Sequence, residues 1–375
     1  MKCVLISCFN AYDNRIKPIE SLLNEQGYEC EYITSDFHHY NKAKYTINRS
    51  NTIQIKVPEY KSNVSLKRLW SHFIFSKKVS QRIKKVNPDL IYALIPPNSL
   101  TWFLAKYKKK NDVKLIYDIY DLWPETFPSQ KTKNILSLIF YFWRNLRDKN
   151  LSSADYIITE CNLFQDILKD LIKGFKTKAL YPTITGEIAE SNFIFDNEKV
   201  HLCYLGSINN IIDIEKIVEI VKAINTIKSV VCHIIGDGEN RDVLISRLKE
   251  TGAHIEYYGK IYDSAEKQKI FDKCYCGLNI MKESVCVGLT LKSIDYFCAG
   301  LPILNNIKAD TTDLVTLYNV GFNVTDSNIS DIASVVGNMT ESELRKMKES
   351  TQKMFDVEFA LSAFNDKIKN ILKDI

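Results

Sequence analysis

The sequence predicts an α/β protein built from two doubly wound parallel sheets. Short apolar runs rich in Val, Ile and Tyr alternate with helical patterns over nearly all of the 375 residues, which is typical of βαβ units. A polar, aperiodic stretch at 185–198 interrupts this alternation near the middle of the chain. We therefore predict two domains, at 1–185 and 198–355, with a linker between them.

The first half opens with an apolar run at 2–8, a helical pattern at 16–27 that ends at a glycine, and a second strand at 28–35. This order is the βαβ opening of a parallel sheet. The alternation then continues to the linker. Further strands are predicted at 51–58, 89–96, 113–121 and 154–161, and further helices at 65–86, 99–110 and 133–150.

The second half repeats the alternation and ends in an amphipathic helical pattern at 359–375. Its apolar runs are short and are separated by helical patterns, as in a second doubly wound sheet. The predicted strands lie at 200–207, 229–238, 253–260, 275–281 and 301–306, and the helices at 213–226, 239–251, 264–274 and 291–299.

Charge is unevenly distributed along the chain. Of 50 Lys/Arg and 45 Asp/Glu in total, residues 51–150 contain 19 basic and 7 acidic side chains. Such a region suits an anionic surface, whether membrane headgroups, a polyanion or a lipid phosphate, and the alternative is solvated lysines on helix faces. No nucleic-acid recognition motif accompanies it, so we predict no nucleic-acid partner.

The ten cysteines form no C-x-x-C pair and no zinc-ligand spacing, and most lie in apolar stretches. They are typical of buried free thiols, which favours a reducing, cytoplasmic compartment. The N-terminus does not have the pattern of a signal peptide. The longest apolar run near the basic region, 135–143, is far shorter than a membrane span. We expect a protein that is soluble or rests on a membrane.

Ligands of open α/β sheets bind beyond the carboxyl ends of the strands, and two polar segments of the first half fall there. Residues 9–15 (FNAYDNR) follow the first strand, where a loop either presents backbone N–H groups to an anion or is a plain turn. The segment 117–126 places Asp118, Asp121 and Glu125 at one strand end. These carboxylates can accept a proton from a hydroxyl or orient a sugar, and the alternative is a capping aspartate beside surface carboxylates.

In the second half, small residues mark two strand ends, YLGS (204–207) and GDGEN (236–240). Backbone can approach a phosphate closely at such turns, although neither is a dinucleotide or P-loop fingerprint. Further on, a short helix carries Lys292 and Asp295 three residues apart on one face. This pair suits a phosphate and a ribose diol, and the alternative is an exposed ion pair.

Taken together, these segments resemble glycosyltransferase family 4 of the GT-B glycosyltransferases, in particular its bacterial surface-polysaccharide members. KSIDYFCAGLPI (292–303) is similar to the family's Lys-x-x-Glu-Tyr-x-x-x-Gly-x-Pro segment, and DIYDLWPE (118–125) to its Asp-Leu-Trp-Pro-Glu segment. The resemblance covers nearly the whole chain. It implies two Rossmann-like domains that face a central cleft, with a C-terminal helix, 356–375, that crosses back to the N-terminal domain.

The resemblance also implies that a nucleotide sugar, here a UDP-sugar, binds mainly to the second domain. Lys292 would pair with the diphosphate, and Asp295 would take the ribose role. The donor-binding residues implied are Gly206, Ser207, Gly236, Asp237, Gly238, Lys260, Ile261, Thr290, Leu291, Lys292 and Asp295. The catalytic carboxylates implied are Asp118, Asp121 and Glu125, and the acceptor-side residues implied are Asn10, Asp13 and Arg15. His39, in the segment 35–42, follows a strand end and is either a further acceptor-side residue or part of a surface loop.

We accordingly expect a hexosyltransferase-like enzyme that moves a sugar to a hydroxyl of a lipid-linked glycan in bacterial capsule or cell-wall polysaccharide synthesis. A nucleotide-sugar epimerase of the same fold and a non-catalytic sugar-nucleotide-binding subunit are the alternatives. The family's first acidic motif position is Val287 here, so the contacts to the sugar depart from the family pattern. No Asp-x-Asp motif is present, and we expect no metal or other cofactor.

The basic, aromatic segments 65–85 and 137–147 would rest on the anionic inner leaflet. We therefore expect a cytoplasmic protein that is peripheral on the inner face of the cell membrane.

Overall fold

Two parallel sheets, each covered by helices, organise the chain. The computed structural model describes residues 1–126 and 133–375, and the side chains of all of these except 133–136. The described chain divides into two units, Met1–Thr185 with Leu361–Ile375, and Gly186–Ala360. Each unit has its own buried apolar core.

The first unit contains a seven-stranded parallel sheet in the order β5-β2-β1-β6-β7-β8-β9. All six residues of its central strand β6, LIYALI, are buried, because helices cover both faces of such a sheet. A small antiparallel pair, β3 and β4, lies in the connection from β2 to β5. The strands are β1 Lys2–Ile6, β2 Glu29–Ser35, β3 Phe37–His38, β4 Ala43–Lys44, β5 Thr52–Ile55, β6 Leu90–Ile95, β7 Lys114–Ile119, β8 Tyr156–Thr159 and β9 Thr177–Ala179.

The helices of the first unit follow its strands. They are α1 Asp13–Glu25, α2 Leu66–Val86, α3 Asn98–Lys108, α4 Lys133–Asp148 and α5 Asn162–Ile172. The longest, α2, begins at a Ser65 cap whose hydroxyl accepts the Arg68 N–H, and ends at Asn87 in the left-handed conformation, as helix ends require. It contacts α3, which in turn contacts α4.

The second unit contains a six-stranded parallel sheet in the order β12-β11-β10-β13-β14-β15. This is the strand order of a Rossmann sheet. Its strands are β10 Val200–Leu205, β11 Val230–Ile235, β12 His254–Gly259, β13 Cys276–Asn279, β14 Ile303–Asn305 and β15 Gly321–Asn323. Its helices are α6 Ile214–Asn225, α7 Arg241–Lys249, α8 Ser264–Phe271, α9 Leu291–Cys298, α10 Asp310–Tyr318, α11 Ile329–Gly337 and α12 Glu341–Glu358.

The main segment of the first unit spans Met1–Thr185, while the second unit, Gly186–Ala360, extends beyond the expected 198–355 at both ends. The stretch interpreted as a linker packs on the second unit, where the Phe195 ring stacks on Tyr275 with centroids 5.4 Å apart. At the other end, Phe359 stacks on Phe297 at 5.8 Å. Residues 356–360 therefore stay with the second unit, because their aromatic anchor lies there.

The last helix, α13 Leu361–Lys373, belongs to the first unit, as predicted for the C-terminal helix. It packs beside α1, and it buries Phe364, Ile368 and Ile371 in a cluster with residues of β1 and β6. None of the helices in the described chain combines the length and the apolar character needed to cross a membrane.

Candidate functional site

Both sheets reverse their strand order, at β1/β6 in the first unit and at β10/β13 in the second. Parallel sheets bind ligands at the carboxyl ends of the strands beside such a reversal. Most of the site residues predicted from sequence follow the carboxyl end of a strand, and Thr290, Leu291, Lys292 and Asp295 lie at α9 instead.

The glycine turns of the second unit interlock at this edge. Gly236, with φ +144°, lies so close to the turn after β10 that an added Cβ would be 1.9 Å from the Gly206 carbonyl oxygen. A Cβ at Gly238 would lie 2.3 Å from the Ile208 carbonyl oxygen. The Gly236 N–H donates to the Gly259 carbonyl at 2.7 Å. Side chains are thus excluded here, which leaves backbone surface for a ligand.

The amino end of α9 adjoins this edge. Thr290 caps the helix by accepting the Ser293 N–H at 3.2 Å, and its hydroxyl donates to Asn279 Oδ1 at 2.9 Å. The second bond ties the helix start to the end of β13. Leu291 and Lys292 form the first turn, where helical N–H groups and the helix dipole favour an anion.

Lys292 is the basic residue of the first turn of α9. Its Nζ lies 5.0 Å from the centroid of the Tyr204 ring, and the Tyr204 hydroxyl donates to the Ser207 carbonyl at 2.9 Å. No carboxylate of the described residues lies within ion-pair distance of it. Burial lowers the pKa of Lys292 to about 7. A half-buried ammonium without a carboxylate partner in the described chain, beside a helix start, suits a diphosphate.

Two ion pairs lie among the remaining donor-side residues. Asp295 pairs with Lys267 at 3.4 Å, and burial raises the pKa of that carboxyl. Lys260 Nζ lies 4.0 Å from Asp237 Oδ2, and Ile261 beside it is half-buried. Nowhere in residues 1–126 and 133–375 do three His, Cys, Asp or Glu side chains gather as metal ligands would.

In the first unit, Arg15 and Asp118 point into the interior. Arg15 donates from Nε to Asp118 Oδ2 at 2.8 Å and from Nη2 to Oδ1 at 3.1 Å. The Tyr92 hydroxyl donates to the same carboxylate at 2.5 Å, and both charged side chains have no solvent exposure. Asp118 is therefore not placed to act as a base, and Arg15 is not placed to face an acceptor, because the two groups satisfy each other away from solvent.

Glu125 is similarly engaged. Its carboxylate accepts two hydrogen bonds from the wholly buried Arg147, at 2.6 and 3.2 Å. Arg147 also pairs with Asp148 at 2.7 Å. This arrangement joins the turn after β7 to α4, so we interpret Glu125 as a structural anchor rather than as a proton acceptor.

Asp121 is the carboxylate best placed for chemistry. It lies just beyond β7, half-buried, and accepts the Thr126 hydroxyl at 2.9 Å. Burial raises the pKa of Asp121, while Thr126 and Arg68 oppose that rise. A carboxylate with a raised pKa is a better proton acceptor than a solvated one.

Of the remaining acceptor-side residues, Asn10 and Asp13 follow β1, and the His39 ring lies 5.1 Å from the Phe9 ring between centroids, beside Asn10. His39 Nδ1 is 2.6 Å from the Tyr60 hydroxyl, and burial lowers the pKa of His39 to about 3, aided by nearby Arg68 and Lys42. Its imidazole is therefore neutral. Asp13 accepts the Tyr32 hydroxyl at 2.8 Å, at the start of α1. Asn10 Oδ1 is buried and has no hydrogen-bond partner among the described residues.

Two residues that the sequence reasoning did not single out, Arg68 and His72, also lie at this edge. Both are buried, and they share the inward face of α2 with Phe75 and Val79, at spacings of four, three and four residues. Polar residues within an apolar stripe were the signal available in the sequence. The basic character of the segment directed our interpretation to its outer face instead.

Comparison with solved structures matches the whole chain to two-domain proteins of the GT-B type. A sucrose-phosphate synthase from Thermosynechococcus elongatus matches at a TM-score of 0.70 and 12% identity, over 100% of this chain and 98% of that chain. The lipopolysaccharide outer core galactosyltransferase WaaB, in its apo form, matches at 0.68 and 16%, over 100% of both.

Anabaena HepE, in complex with UDP and glucose, matches at a TM-score of 0.64 and 14% identity, over 100% of both chains. No protein-family model and no curated protein sequence matches the chain. The structural matches confirm the predicted fold class, two Rossmann-like domains of the GT-B type.

Proposed function

Given a chain with the GT-B fold, we propose that the protein is a glycosyltransferase that moves a sugar from a UDP-sugar to a hydroxyl of a lipid-linked glycan in bacterial capsule or cell-wall polysaccharide synthesis. The observation that carries this proposal is Lys292, an ammonium with no carboxylate partner among the described residues, beside the α9 amino end and the glycine turns. The HepE structure that matches this chain contains UDP and glucose, which supports UDP as the nucleotide.

The donor diphosphate is the leaving group of such a transfer. Negative charge grows on it as the bond to the sugar breaks, and fixed positive groups stabilise that charge in the transition state. Lys292 and the first-turn N–H groups of α9 would supply them, and Asp295 would bind the ribose. We propose that these groups serve without a metal ion.

The acceptor hydroxyl must lose a proton as it attacks. We assign Asp121 to orient that hydroxyl and accept the proton, since burial raises the pKa of this carboxyl. Asp118 and Glu125 do not share the role, because arginines engage both carboxylates.

We further propose that the protein works in the cytoplasm on the inner face of the cell membrane. The supporting features are exposed aromatic side chains on basic helices of the first unit. Trp70 of α2 is 56% exposed and Phe142 of α4 is 62% exposed. Amphipathic helices of this composition lie in the interface of anionic membranes.

The test is a thermal-shift panel of nucleoside diphosphates and nucleotide sugars, because a ligand that binds the folded state raises its melting temperature. UDP and UDP-sugars should stabilise the protein, and Lys292→Ala should abolish the shift. The matched control is Lys308→Ala, which removes an 84% exposed ammonium of the same unit and should keep it. A panel without any shift in well-folded protein would contradict the donor site.

Turnover then separates the enzyme classes. A transferase consumes its UDP-sugar only with an acceptor present, whereas an epimerase converts the sugar alone. Binding without either reaction, in the presence of lipid-linked acceptors, would instead identify a non-catalytic subunit.

A further inference from the structure

Among the described residues of the first unit, three arginines are buried, and one of them has no anionic partner in that part of the chain. Arg15 and Arg147 each make a bidentate contact with a carboxylate. Arg68 is 5% exposed, yet no carboxylate among the described residues lies within ion-pair distance of it. Burying a cation without an anion is costly, so the Arg68 site is incomplete as it stands.

The protein contacts of Arg68 leave a donor free. Its Nη1 donates to the Asn63 carbonyl at 2.8 Å, and its guanidinium lies 4.7 Å from the Trp123 ring centroid. Its Nε–H is buried without a hydrogen-bond partner among the described residues. Asp121 is close enough for Arg68 to favour its charged form, but it makes no ion pair with Arg68.

Two more unpartnered N–H donors lie in this part of the interior, one on His72 and one on Trp143, which is beside His72. His72, one helical turn further along α2, is 1% exposed, and neither ring nitrogen has a partner among the described residues. Burial and Arg68 lower the pKa of His72 well below its usual range, so the neutral ring carries one N–H. The Trp143 indole, 6.0 Å from His72 between ring centroids, has a buried Nε1–H that also lacks a partner in the described chain.

The same Trp143 ring lines an apolar groove between α2 and α4. The groove has a volume of about 640 Å³, and all of its lining residues are aliphatic or aromatic, among them Trp70, Phe73 and Phe142. Trp143 therefore contributes to both features. Its ring lines the groove, and its buried N–H is one of the unpartnered donors. An apolar channel next to a cation and N–H donors is complementary to a hydrocarbon chain that ends in an anion.

We propose that this site binds a lipid phosphate, with its hydrocarbon chain in the α2/α4 groove and its phosphate on Arg68, His72 and Trp143. Phosphate oxygens accept hydrogen bonds from all three side chains, and arginine suits them particularly well. This proposal rests on the proposed function, since the lipid carrier of a glycan acceptor combines a hydrocarbon chain with a phosphate. A membrane surface alone would cover Trp70 and Phe142 but would not supply an anion to Arg68.

The experiment measures binding of farnesyl phosphate, below its micelle concentration, to the whole protein by tryptophan fluorescence and calorimetry. Farnesol and inorganic phosphate serve as the two halves of the ligand, and each should bind at least about 10-fold more weakly, because charge-assisted hydrogen bonds and apolar burial both contribute. Vesicles of phosphatidylglycerol measure membrane binding separately.

Arg68→Met should weaken farnesyl phosphate binding at least about 10-fold, and Phe142→Gln should weaken it through the groove. Arg82→Met is the matched control, because Arg82 lies on the same helix and pairs with Glu31 at the surface. Arg68→Met should also melt no lower than the unmodified protein, since it removes an unpaired buried charge. If it fails to fold, His72→Phe and Trp143→Phe remove single N–H donors and should weaken binding in the same way.

UDP binding distinguishes this proposal from the proposed function. If UDP still stabilises the protein but farnesyl phosphate binds no better than farnesol, the lipid-phosphate site is overturned and the transferase proposal stands. Equal farnesyl phosphate affinity in the unmodified protein and in Arg68→Met, or binding only to vesicles, would also overturn it.

Discussion

Arg15 and Asp118 form a two-pronged ion pair across 103 residues of sequence, with Nε–Oδ2 and Nη2–Oδ1 distances of 2.8 and 3.1 Å and no solvent exposure on either side chain. The pair joins the first turn of α1 to strand β7, which neighbours the central strand β6. Arg15 also donates to the Leu180 carbonyl at 2.7 Å, beyond β9. One guanidinium therefore connects a helix, a strand and the end of the sheet.

Replacing Asp118 should destabilise the first unit. Asp118→Ala leaves Arg15 charged and buried, which costs about 3–5 kcal/mol in comparable sites, and urea unfolding would measure the loss. The matched control is Glu31→Ala, which breaks the partly exposed pair with Arg82 and should cost below about 1 kcal/mol. A small loss for Asp118→Ala would contradict the structural role, and a folded variant with normal UDP binding but no transfer would restore the catalytic one.

A methyl group at Gly238 should disable nucleotide binding. The added Cβ would lie 2.3 Å from the Ile208 carbonyl oxygen, so Gly238→Ala must spread the turns after β10 and β11. We expect UDP affinity to fall at least about 10-fold, because phosphate recognition at such turns needs close backbone approach. Gly186→Ala is the control, because nothing lies within 4 Å of its added Cβ. The UDP affinity of this variant should equal that of the unmodified protein.

UDP affinity should fall as the pH rises above 7. Burial lowers the pKa of Lys292 to about 7 in the folded protein, so the free site loses its ammonium above that pH, while the diphosphate binds the protonated form. Binding should therefore take up protons between pH 7 and 9, which calorimetry in buffers of different ionisation enthalpy detects. Lys292→Met should remove this uptake, and an unchanged uptake would contradict the assignment.

The same lysine should affect stability with the opposite dependence on pH. Between pH 7 and the ordinary lysine pKa of 10.5, the unfolded chain binds one more proton than the folded one, so this group makes stability rise with pH. Below pH 7 both states are protonated and its contribution is flat. The unfolding free energy of the unmodified protein minus that of Lys292→Met should therefore be constant below pH 7 and rise between pH 7 and 10.5.

Asp121→Asn should slow transfer by about 10²–10⁴-fold, the usual contribution of a general base. UDP binding should persist, because Asp121 lies in the first unit and the proposed donor site in the second. Glu283→Gln, at an 84% exposed carboxylate, should have normal activity. Because burial raises the pKa of Asp121, the transfer rate of the unmodified protein should fall on acidification. The fall should begin at a higher pH than it would with a solvated aspartate as the base. Full activity of Asp121→Asn would exclude it as the base.

The sequence predicts much of this architecture because local patterns specify it. Alternation of apolar runs and helices predicts both sheets, and the glycine turns and α9 lie where strand ends predict them. The partner of a charge is not a local property, so nothing near Asp118 identifies Arg15. Arg68 and His72 were missed for a related reason: the periodicity of α2 shows which face is inward, but only three-dimensional packing shows that their nitrogens lack partners.

The place of α13 has a consequence for synthesis. Phe364, Ile368 and Ile371 complete a core with β1 and β6, yet they leave the ribosome after all of the second unit. The nascent first unit must therefore keep an uncovered apolar strip along α1 while 175 further residues, Gly186–Ala360, are made. Its folding is completed last although most of it is translated first, so a stalled or shortened chain would present that strip to chaperones and proteases.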